Sequence, residues 1–256
     1  MNNIKKNFLY NTLYQIILIL IPLLTTPYLS RVLGAEEIGR YSFSYSVANI
    51  FVIISLLGLN NYGNRIIAMK RDNSSEVSYT FCSVYAMQFM TSLAGFFVYM
   101  IYSFFFAHDR SISLLQGLYV ISALFDINWL FAGMENFKFT VSRGIFVKIV
   151  SAVAIFIFVR SAKDVYLYTF IMSGSLLISQ VWLFLQLRKY IKFHKVAWKD
   201  IRGHIRPNLV LFIPVLAISV YKIMDKVMLG FMTTNIEVGY YENAEKIIQI
   251  PMGFIN

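Results

Sequence analysis

The feature of this sequence that most limits its fold is a series of apolar runs, most of them about as long as a bilayer-spanning helix. Such a helix needs about 20 predominantly apolar residues. The runs occupy residues 8–33, 41–61, 80–107, 112–133, 144–159, 165–187 and 208–232, and a further run begins near residue 238. They predict an all-α polytopic membrane protein.

Composition agrees with that class and excludes a soluble globular domain. Hydrophobic residues make up 58% of the chain and charged residues 14%, whereas soluble domains carry about 25% charged residues. The first apolar run is too long for the core of a signal peptide, and no small-residue cleavage site follows it. We therefore expect a retained first span that is kinked or broken at Pro22 and Pro27.

The basic residues are distributed unevenly between the two sides of the predicted spans. If the N-terminus is cytoplasmic, the cytoplasmic side carries the larger set: Lys5, Lys6, Arg65, Lys70, Arg71, Lys138, Arg143, Lys148, Arg188, Lys189, Lys192, Lys195, Lys199, Arg202 and Arg206. The other side carries Arg31, Arg40, Arg110, Arg160 and Lys163. Because Lys and Arg accumulate in cytoplasmic loops, this bias predicts a cytoplasmic N-terminus. It also accounts for most of the net charge of +10 without a nucleic acid as partner.

The sequence offers little for enzymatic or metal chemistry. Cys82 is the single cysteine, so it forms no internal disulfide and is expected to pack as a small apolar residue. The three histidines are far apart in sequence, and no cluster has metal-ligand spacing. The sequence shows no nucleophile–base set and no phosphate loop, which disfavours a membrane enzyme such as a glycan polymerase or a glycosyltransferase.

An internal repeat relates residues 35–50 to residues 235–250. At an offset of 200 residues the matching pairs are Glu37 and Glu237, Ile38 and Val238, Gly39 and Gly239, Tyr41 and Tyr241, and Ile50 and Ile250. The repeat fits duplication of a six-helix unit in the same orientation. We therefore expect a six-helix N-terminal bundle at 1–187 and the first two or so helices of a second bundle at 207–256. Because such a bundle needs more spans, the sequence is expected to be truncated.

The two predicted bundles are joined by residues 188–206, the longest polar stretch. Its apolar residues recur at roughly helical spacing among basic ones: Ile191, Trp198, Ile201 and Ile205. This pattern predicts a basic, cytoplasmic, amphipathic linker helix that lies on the anionic leaflet of the membrane.

Three ionisable residues fall close together inside the seventh predicted span, where charge is costly and usually functional. Lys222, Asp225 and Lys226 lie at positions i, i+3 and i+4, so Lys222 and Asp225 share a helix face and can pair. The remaining positive charge favours a role in lining a cavity. Snorkelling of Lys226 to the membrane interface is the alternative.

Further charges in or near the spans are candidates for function. Asp126 lies inside the fourth span, where it could carry a coupling ion or form a structural ion pair. Arg31 follows the two prolines of the first span, and arginine suits bidentate phosphate recognition. Lys148 lies one turn into the fifth span. Arg31 and Lys148 could instead snorkel to the interface.

Four separated segments, in order, resemble a known family: "TTPYLSRVLGAEEIGRYSFSYSVANIF" (25–51), "LGLNNYGNRIIA" (57–68), "FDINWLFAGMENFKF" (125–139) and "DKVMLGFMTTNIEVGYYENAEKI" (225–247). Together they look like the polysaccharide-export and O-antigen flippase (Wzx-like) family. That family belongs to a superfamily that includes multidrug extruders and the peptidoglycan lipid flippase. The resemblance covers essentially the whole chain, although none of the segments identifies a glycan.

The resemblance implies a bundle of twelve or more helices in two lobes around a central cavity, which opens to alternate sides of the bacterial cytoplasmic (inner) membrane. Its cargo would be an undecaprenyl-diphosphate-linked oligosaccharide, and its partners membrane lipids, a glycan polymerase and other polysaccharide assembly proteins. On this hypothesis, Lys222, Lys226, Arg31 and Lys148 make the cavity cationic. Asp225 and Asp126 balance charge or carry a coupling H⁺ or Na⁺, with no other cofactor.

Two other readings of the sequence stay open. A multidrug or organic-cation extruder of the same superfamily would favour acidic and aromatic cavity residues over basic ones. A non-functional, truncated fragment is the second alternative, because only about eight spans are present.

Overall fold

Ten α-helices follow one another through residues 20–255, the part of the chain that this computed structural model describes; of residues 137, 138 and 249–255 only the backbone is considered. The helices are residues 20–32 (α1), Gly34–Leu56 (α2), Leu59–Ala68 (α3), Ser74–Phe105 (α4), Arg110–Ser122 (α5), Asn128–Gly133 (α6), Phe137–Phe158 (α7), Val165–Leu185 (α8), Trp198–Met232 (α9) and Asn235–Ile255 (α10). Short 3₁₀ turns lie at Ala123–Phe125, Ala162–Asp164 and Leu187–Lys189. Residues 20–255 contain no β-strand.

Six helical segments of the described chain are long and apolar enough to cross a membrane. They are Gly34–Ala68, Ser74–Phe105, Arg110–Gly133, Phe139–Phe158, Ala162–Lys189 and Trp198–Met232. Each contains or overlaps one of the predicted spans from the second to the seventh, so the prediction of an all-α polytopic membrane protein is confirmed. The predicted first span lies partly outside the described residues, and α10 occupies the place of the predicted eighth.

Local sequence sets where the helices end. Asn73 caps α4, since its side-chain oxygen accepts hydrogen bonds from the backbone N–H groups of Ser75 at 3.1 Å and Glu76 at 3.4 Å. Asp109 caps α5 in the same way, through the N–H of Ile112 at 3.1 Å. Leu57 and Gly58 adopt left-handed backbone angles, which separate α2 from α3.

α2 lies at the centre of the bundle, where it packs against α4, α5, α9 and α10. We call the end of the bundle that holds residues 69–73, 134–136 and 190–197 the linker end, and the opposite end, with residues 106–109 and 233–234, the far end. A buried cluster at the linker end includes Trp129, Phe131 and Phe81. A second cluster, from α1, α2, α5, α7 and α8, lies toward the far end. The clusters hold both ends of the bundle together.

The segment 188–206 differs from the predicted amphipathic helix. A 3₁₀ turn ends at Lys189, residues 191–197 have no regular structure, and α9 begins at Trp198 and continues through the next span. Ile191 and Ile201 are buried in the cluster at the linker end. These apolar side chains are therefore covered by the protein, so the membrane-surface interpretation of the linker is wrong for them.

Prolines do not interrupt the helices that contain them. Residues 20–32 are helical through Pro22 and Pro27, and α9 continues through Pro207 and Pro214. The backbone of the first span turns instead at Leu33, where Gly34 has φ +79°. A left-handed angle of that kind suits glycine, which has no Cβ to clash with the preceding carbonyl. The predicted break at the prolines is therefore absent from the described part of this span.

Candidate functional site

A cavity in the described structure has a volume of about 630 Å³. Its walls come from α1, α7 and α8, and residues of α2, α6 and α10 complete it. One part of the wall is apolar, with Leu29, Val147 and Leu176. Another part carries hydroxyl, amide and charged groups. Such a mixed wall can hold a ligand that has both an apolar chain and a polar head.

The charged residues of the cavity wall are mostly cations. Arg143, Lys148 and Lys246 line it, and Glu242 is the only acidic residue among the described lining residues. The wall therefore has an excess of positive charge, which suits an anionic ligand.

Arg143 of α7 is held in place by two neighbouring helices, α6 and α8. Its side chain is 7% exposed and donates hydrogen bonds to the carbonyl oxygen of Ser179 at 2.6 Å and to Gln180 Oε1 at 3.2 Å, both on α8. It also donates to Asn128 Oδ1 of α6 at 2.9 Å. These bonds fix the guanidinium beside the cavity, so it can face a ligand without first losing side-chain freedom.

Lys148 follows Arg143 on α7 and lines the same cavity. None of the described residues forms a hydrogen bond or an ion pair with its ammonium group. The residue was a candidate from sequence, and the structure places it on the cavity wall. Its charge is available to a ligand because no nearby carboxylate of the described chain neutralises it.

Glu242 on α10 is the centre of a charged network. Its Oε2 accepts hydrogen bonds from Lys226 Nζ of α9 at 2.8 Å and from the hydroxyl of Ser42 on α2. Its Oε1 lies 3.1 Å from Lys246 Nζ. Lys226 also pairs with Glu245 at 2.7 Å. Lys226, a predicted ligand for phosphate, is thus largely neutralised by two carboxylates of the next helix and is not among the residues that line the cavity.

The two other cations proposed from sequence lie away from the cavity wall. Arg31 and Lys222 are exposed and do not line the cavity. On α1 the lining residues, such as Thr25, Thr26 and Leu29, share one helix face, and Arg31 lies on another. The ligand roles predicted for Arg31 and Lys222 stay predictions.

Asp225 does not pair with Lys222 in the described structure. Its carboxylate accepts a hydrogen bond from the Tyr241 hydroxyl of α10 at 2.8 Å. The i, i+3 spacing placed the two residues on one face correctly, but the neighbouring helix supplies a closer partner.

Asp126 lies where the third described span is broken between its 3₁₀ turn and α6. Its Oδ1 accepts hydrogen bonds from the backbone N–H of Asn128 at 3.1 Å and from the Asn128 side chain at 2.7 Å. Asn128 in turn accepts from Arg143. Asp126 is thereby connected to the cavity through one intervening amide side chain, and its predicted role in ion coupling stays a prediction.

Gln88 of α4 stabilises this break in the helix, although no pattern in the sequence marked it as a candidate. Its fully buried amide donates hydrogen bonds to the carbonyl oxygens of Ala123 and Asp126, both at 2.8 Å. Its Oε1 accepts from Trp129 Nε1 at 2.9 Å. Gln88 therefore replaces the backbone partners that the break removes, and so positions Asp126 and Asn128.

Three residues of the site were not among the candidates from sequence. Arg143 fell one residue outside the predicted fifth span, although α7 begins at Phe137 and includes it. Glu242 and Lys246 belong to α10, in the region of the predicted eighth span, and were not considered as site residues. Their i, i+4 spacing on an apolar helix was the available signal. Among the described residues, no group of three or more His, Cys, Asp or Glu side chains could bind a metal ion.

Comparison with known proteins identifies the family. A family model described as "Polysaccharide biosynthesis protein" matches residues 4–256. The chain belongs to the polysaccharide biosynthesis protein family. The family resemblance seen in the four sequence segments is thereby confirmed. The family and the six apolar helices together make the chain a multi-pass membrane protein.

Two relatives in the polysaccharide biosynthesis protein family are named as O-antigen transporters. The protein of Escherichia coli (strain K12) is 24% identical over 270 residues, which cover 99% of this chain and 62% of the relative. The protein of Shigella dysenteriae is 22% identical over 259 residues, which cover 98% of this chain and 64% of the relative. The chain thus spans less than two thirds of the length of these relatives.

A solved structure named "protein A" has the same fold as this family member over most of the chain. The TM-score is 0.63 at 14% sequence identity, and the match covers 97% of this chain and 61% of the other. At this identity the likeness concerns the fold alone.

Proposed function

We propose that the protein moves a lipid-linked oligosaccharide across the bacterial cytoplasmic membrane, as a flippase in polysaccharide assembly. The cargo would be an undecaprenyl-diphosphate-linked repeat unit of O-antigen or capsule type. Family membership and the names of the two relatives support a transport role. The observation that carries the proposal is the excess of cations on the cavity wall, where Arg143, Lys148 and Lys246 outnumber Glu242.

The chemistry of this cargo explains why fixed cations are useful. A diphosphate that leaves water for a membrane-embedded cavity loses its hydration, at a cost that cationic hydrogen-bond donors can offset. Arg143 is already oriented by α6 and α8, and Lys148 is free to approach the ligand. The apolar part of the wall suits the lipid chain, and its hydroxyl and amide groups suit the sugar.

Transport would follow from movement of two helix bundles about the cavity, with no covalent step and no enzymatic activity. The cytoplasmic excess of Lys and Arg supports an N-terminus inside the cell. A coupling H⁺ or Na⁺ would be carried by a carboxylate, with Asp126 and Asp225 as the candidates from sequence. Partners would be membrane lipids, a glycan polymerase and other assembly proteins.

The charge of the cavity wall also favours the flippase proposal over the alternative, an extruder of the same superfamily. An organic-cation or multidrug extruder would use carboxylates and aromatic rings to attract its cargo. The cavity does have Tyr41, Tyr45 and Tyr168 on its wall, but three cations would repel a cationic drug. The charge therefore favours an anionic cargo.

Deletion of the native gene provides the test. We expect lipid-linked oligosaccharide to accumulate on the cytoplasmic face while surface glycan is lost, and the intact gene to reverse both changes. The gene carrying only residues 1–256 should be tested beside it, because the chain is shorter than its relatives. Unchanged glycan in both pools, together with increased drug susceptibility, would replace the flippase proposal with the extruder.

A further inference from the structure

The charged network at the end of the cavity is arranged in a row, with Glu242 between two lysines. Lys246 and Glu242 line the cavity, whereas Lys226 does not. One carboxylate oxygen of Glu242 faces Lys246 at 3.1 Å, and the other faces Lys226 at 2.8 Å. The same carboxylate therefore pairs with one lysine on the cavity side and one on the protein side.

We infer that Glu242 is an internal counter-anion for Lys246, which an anionic head group displaces when it binds in the cavity. The inference rests on the proposed function, because it assigns the exchange to the diphosphate of that cargo. Before binding, Lys246 is paired with Glu242. After binding, Lys246 pairs with the cargo, and Glu242 keeps its pair with Lys226.

The presence of Lys226 makes this exchange feasible. A buried carboxylate that lost its only cation would be strongly destabilised. Glu242 has a side chain that is 11% exposed, but it holds a second cation in Lys226 and a hydrogen bond from Ser42. Release of Lys246 therefore leaves no buried charge without a partner. Lys226 would therefore stabilise the charge of Glu242, whereas the sequence analysis predicted that it contacts the cargo directly.

The network also links the cavity to the contact between α2 and α10. Ser42 belongs to α2, in the first copy of the sequence repeat, and Glu242 occupies the equivalent position in the second. Tyr41 and Tyr45 of α2 and Tyr168 of α8 also line the cavity, and the ammonium of Lys226 on α9 pairs with the same carboxylate as Lys246. Within the described residues of the wall, Glu242 is the single carboxylate that can compete with a bound anion.

The test measures binding of geranyl diphosphate, a short prenyl diphosphate, to the protein as its gene encodes it, reconstituted in lipid nanodiscs. Geraniol, which has the same chain without the charge, is the control ligand. The variants are Glu242→Gln, Lys246→Gln, the double variant of these two, and Lys148→Gln. Glu242→Gln keeps the size of the side chain, and Lys226 retains Glu245 as its partner, so the network stays largely paired.

We expect Glu242→Gln to bind geranyl diphosphate about tenfold more tightly than the unmodified protein, because the competing carboxylate is gone. Lys246→Gln should bind it more weakly, and the gain from Glu242→Gln should vanish in the double variant. Geraniol affinity should not change. A residue that only maintained the fold would instead weaken binding when replaced, with or without Lys246.

Two results would overturn the inference and leave the proposed function standing. In the first, Glu242→Gln leaves the affinity for geranyl diphosphate unchanged or lowers it, while Lys148→Gln lowers it. The other is a gain that persists in the double variant or extends to geraniol. If geranyl diphosphate binds to none of the proteins, the anionic cargo itself is excluded, and the inference fails with it.

Discussion

Ser42 donates a hydrogen bond to Glu242, which lies 200 residues further along the chain. About one turn away, Gly39 and Gly239 bring the backbones of α2 and α10 together. A Cβ at Gly39 would collide with the carbonyl oxygen of Asn235, and a Cβ at Gly239 would collide with the carbonyl oxygen of Ala35. Asn235 and Ala35 are themselves equivalent positions of the repeat. The contact is therefore reciprocal, as expected where two copies of one unit meet about a local two-fold axis.

The glycine crossing gives the first prediction. Gly239→Ala should destabilise the protein by about 1–3 kcal/mol, since the added methyl group meets backbone atoms that cannot move aside. Gly174→Ala on α8 is the matched control, because nothing lies within 4 Å of a Cβ there. The measurement is the melting temperature of both variants in detergent. Equal melting temperatures would show that α2 and α10 are not packed this closely.

Gln88 gives the second prediction. Gln88→Leu should cost about 2–4 kcal/mol, because the Asp126 carbonyl oxygen and the Trp129 N–H lose their hydrogen bonds to Gln88 in a buried region. The Ala123 carbonyl oxygen would keep only the backbone N–H of Asp126, at 3.4 Å. Ser92→Ala, on the same helix, should have little effect, since the buried Ser92 hydroxyl has no hydrogen-bond partner among the described residues. Thermal unfolding followed by tryptophan fluorescence compares the two. Similar losses of stability in both variants would count against the assignment of Gln88 to the helix break.

Lys226 gives the third prediction, which separates internal pairing from cargo binding. Lys226→Gln should lower stability by about 3 kcal/mol, because Glu242 and Glu245 lose a shared cation. Replacing Glu245 with Gln as well should restore part of that stability. Lys222→Gln is the control, as Lys222 is exposed on the same helix. If Lys226→Gln abolished transport without affecting the melting temperature, the direct role predicted from sequence would be favoured.

The sequence predicted the class of fold well because bilayer-spanning runs are a local property of the chain. The second to seventh predicted spans all have counterparts in the structure. The partners of charged residues were harder to predict, because periodicity gives the face of a helix but not the helix that packs against it. Lys222 and Asp225 were expected to pair, yet Asp225 and Lys226 both bind residues of α10.

The sequence predicted only part of the candidate site, because it does not show which helices pack against one another. Lys148 was found because a lone lysine inside an apolar run stands out in the sequence. Arg143 was assigned to a loop, since its span was predicted to begin at Gly144, whereas α7 begins at Phe137. Gln88 carries no charge and lies in an ordinary apolar run, so only the three-dimensional structure reveals its contacts with the helix break.

The fourth prediction concerns the cavity, and flipping in proteoliposomes tests it. The protein, as its gene encodes it, would be reconstituted with a fluorescent polyprenyl-diphosphate-linked saccharide, and the rate at which label changes leaflet would be measured. We expect Lys148→Gln to slow flipping by about tenfold or more, because the cargo loses a charge-assisted contact. Lys148→Arg should restore most of the rate. Arg31→Gln, which removes an exposed cation away from the cavity, should flip nearly as fast as the unmodified protein. Flipping that is insensitive to Lys148→Gln but abolished by Arg31→Gln would show that the anionic cargo does not use this cavity.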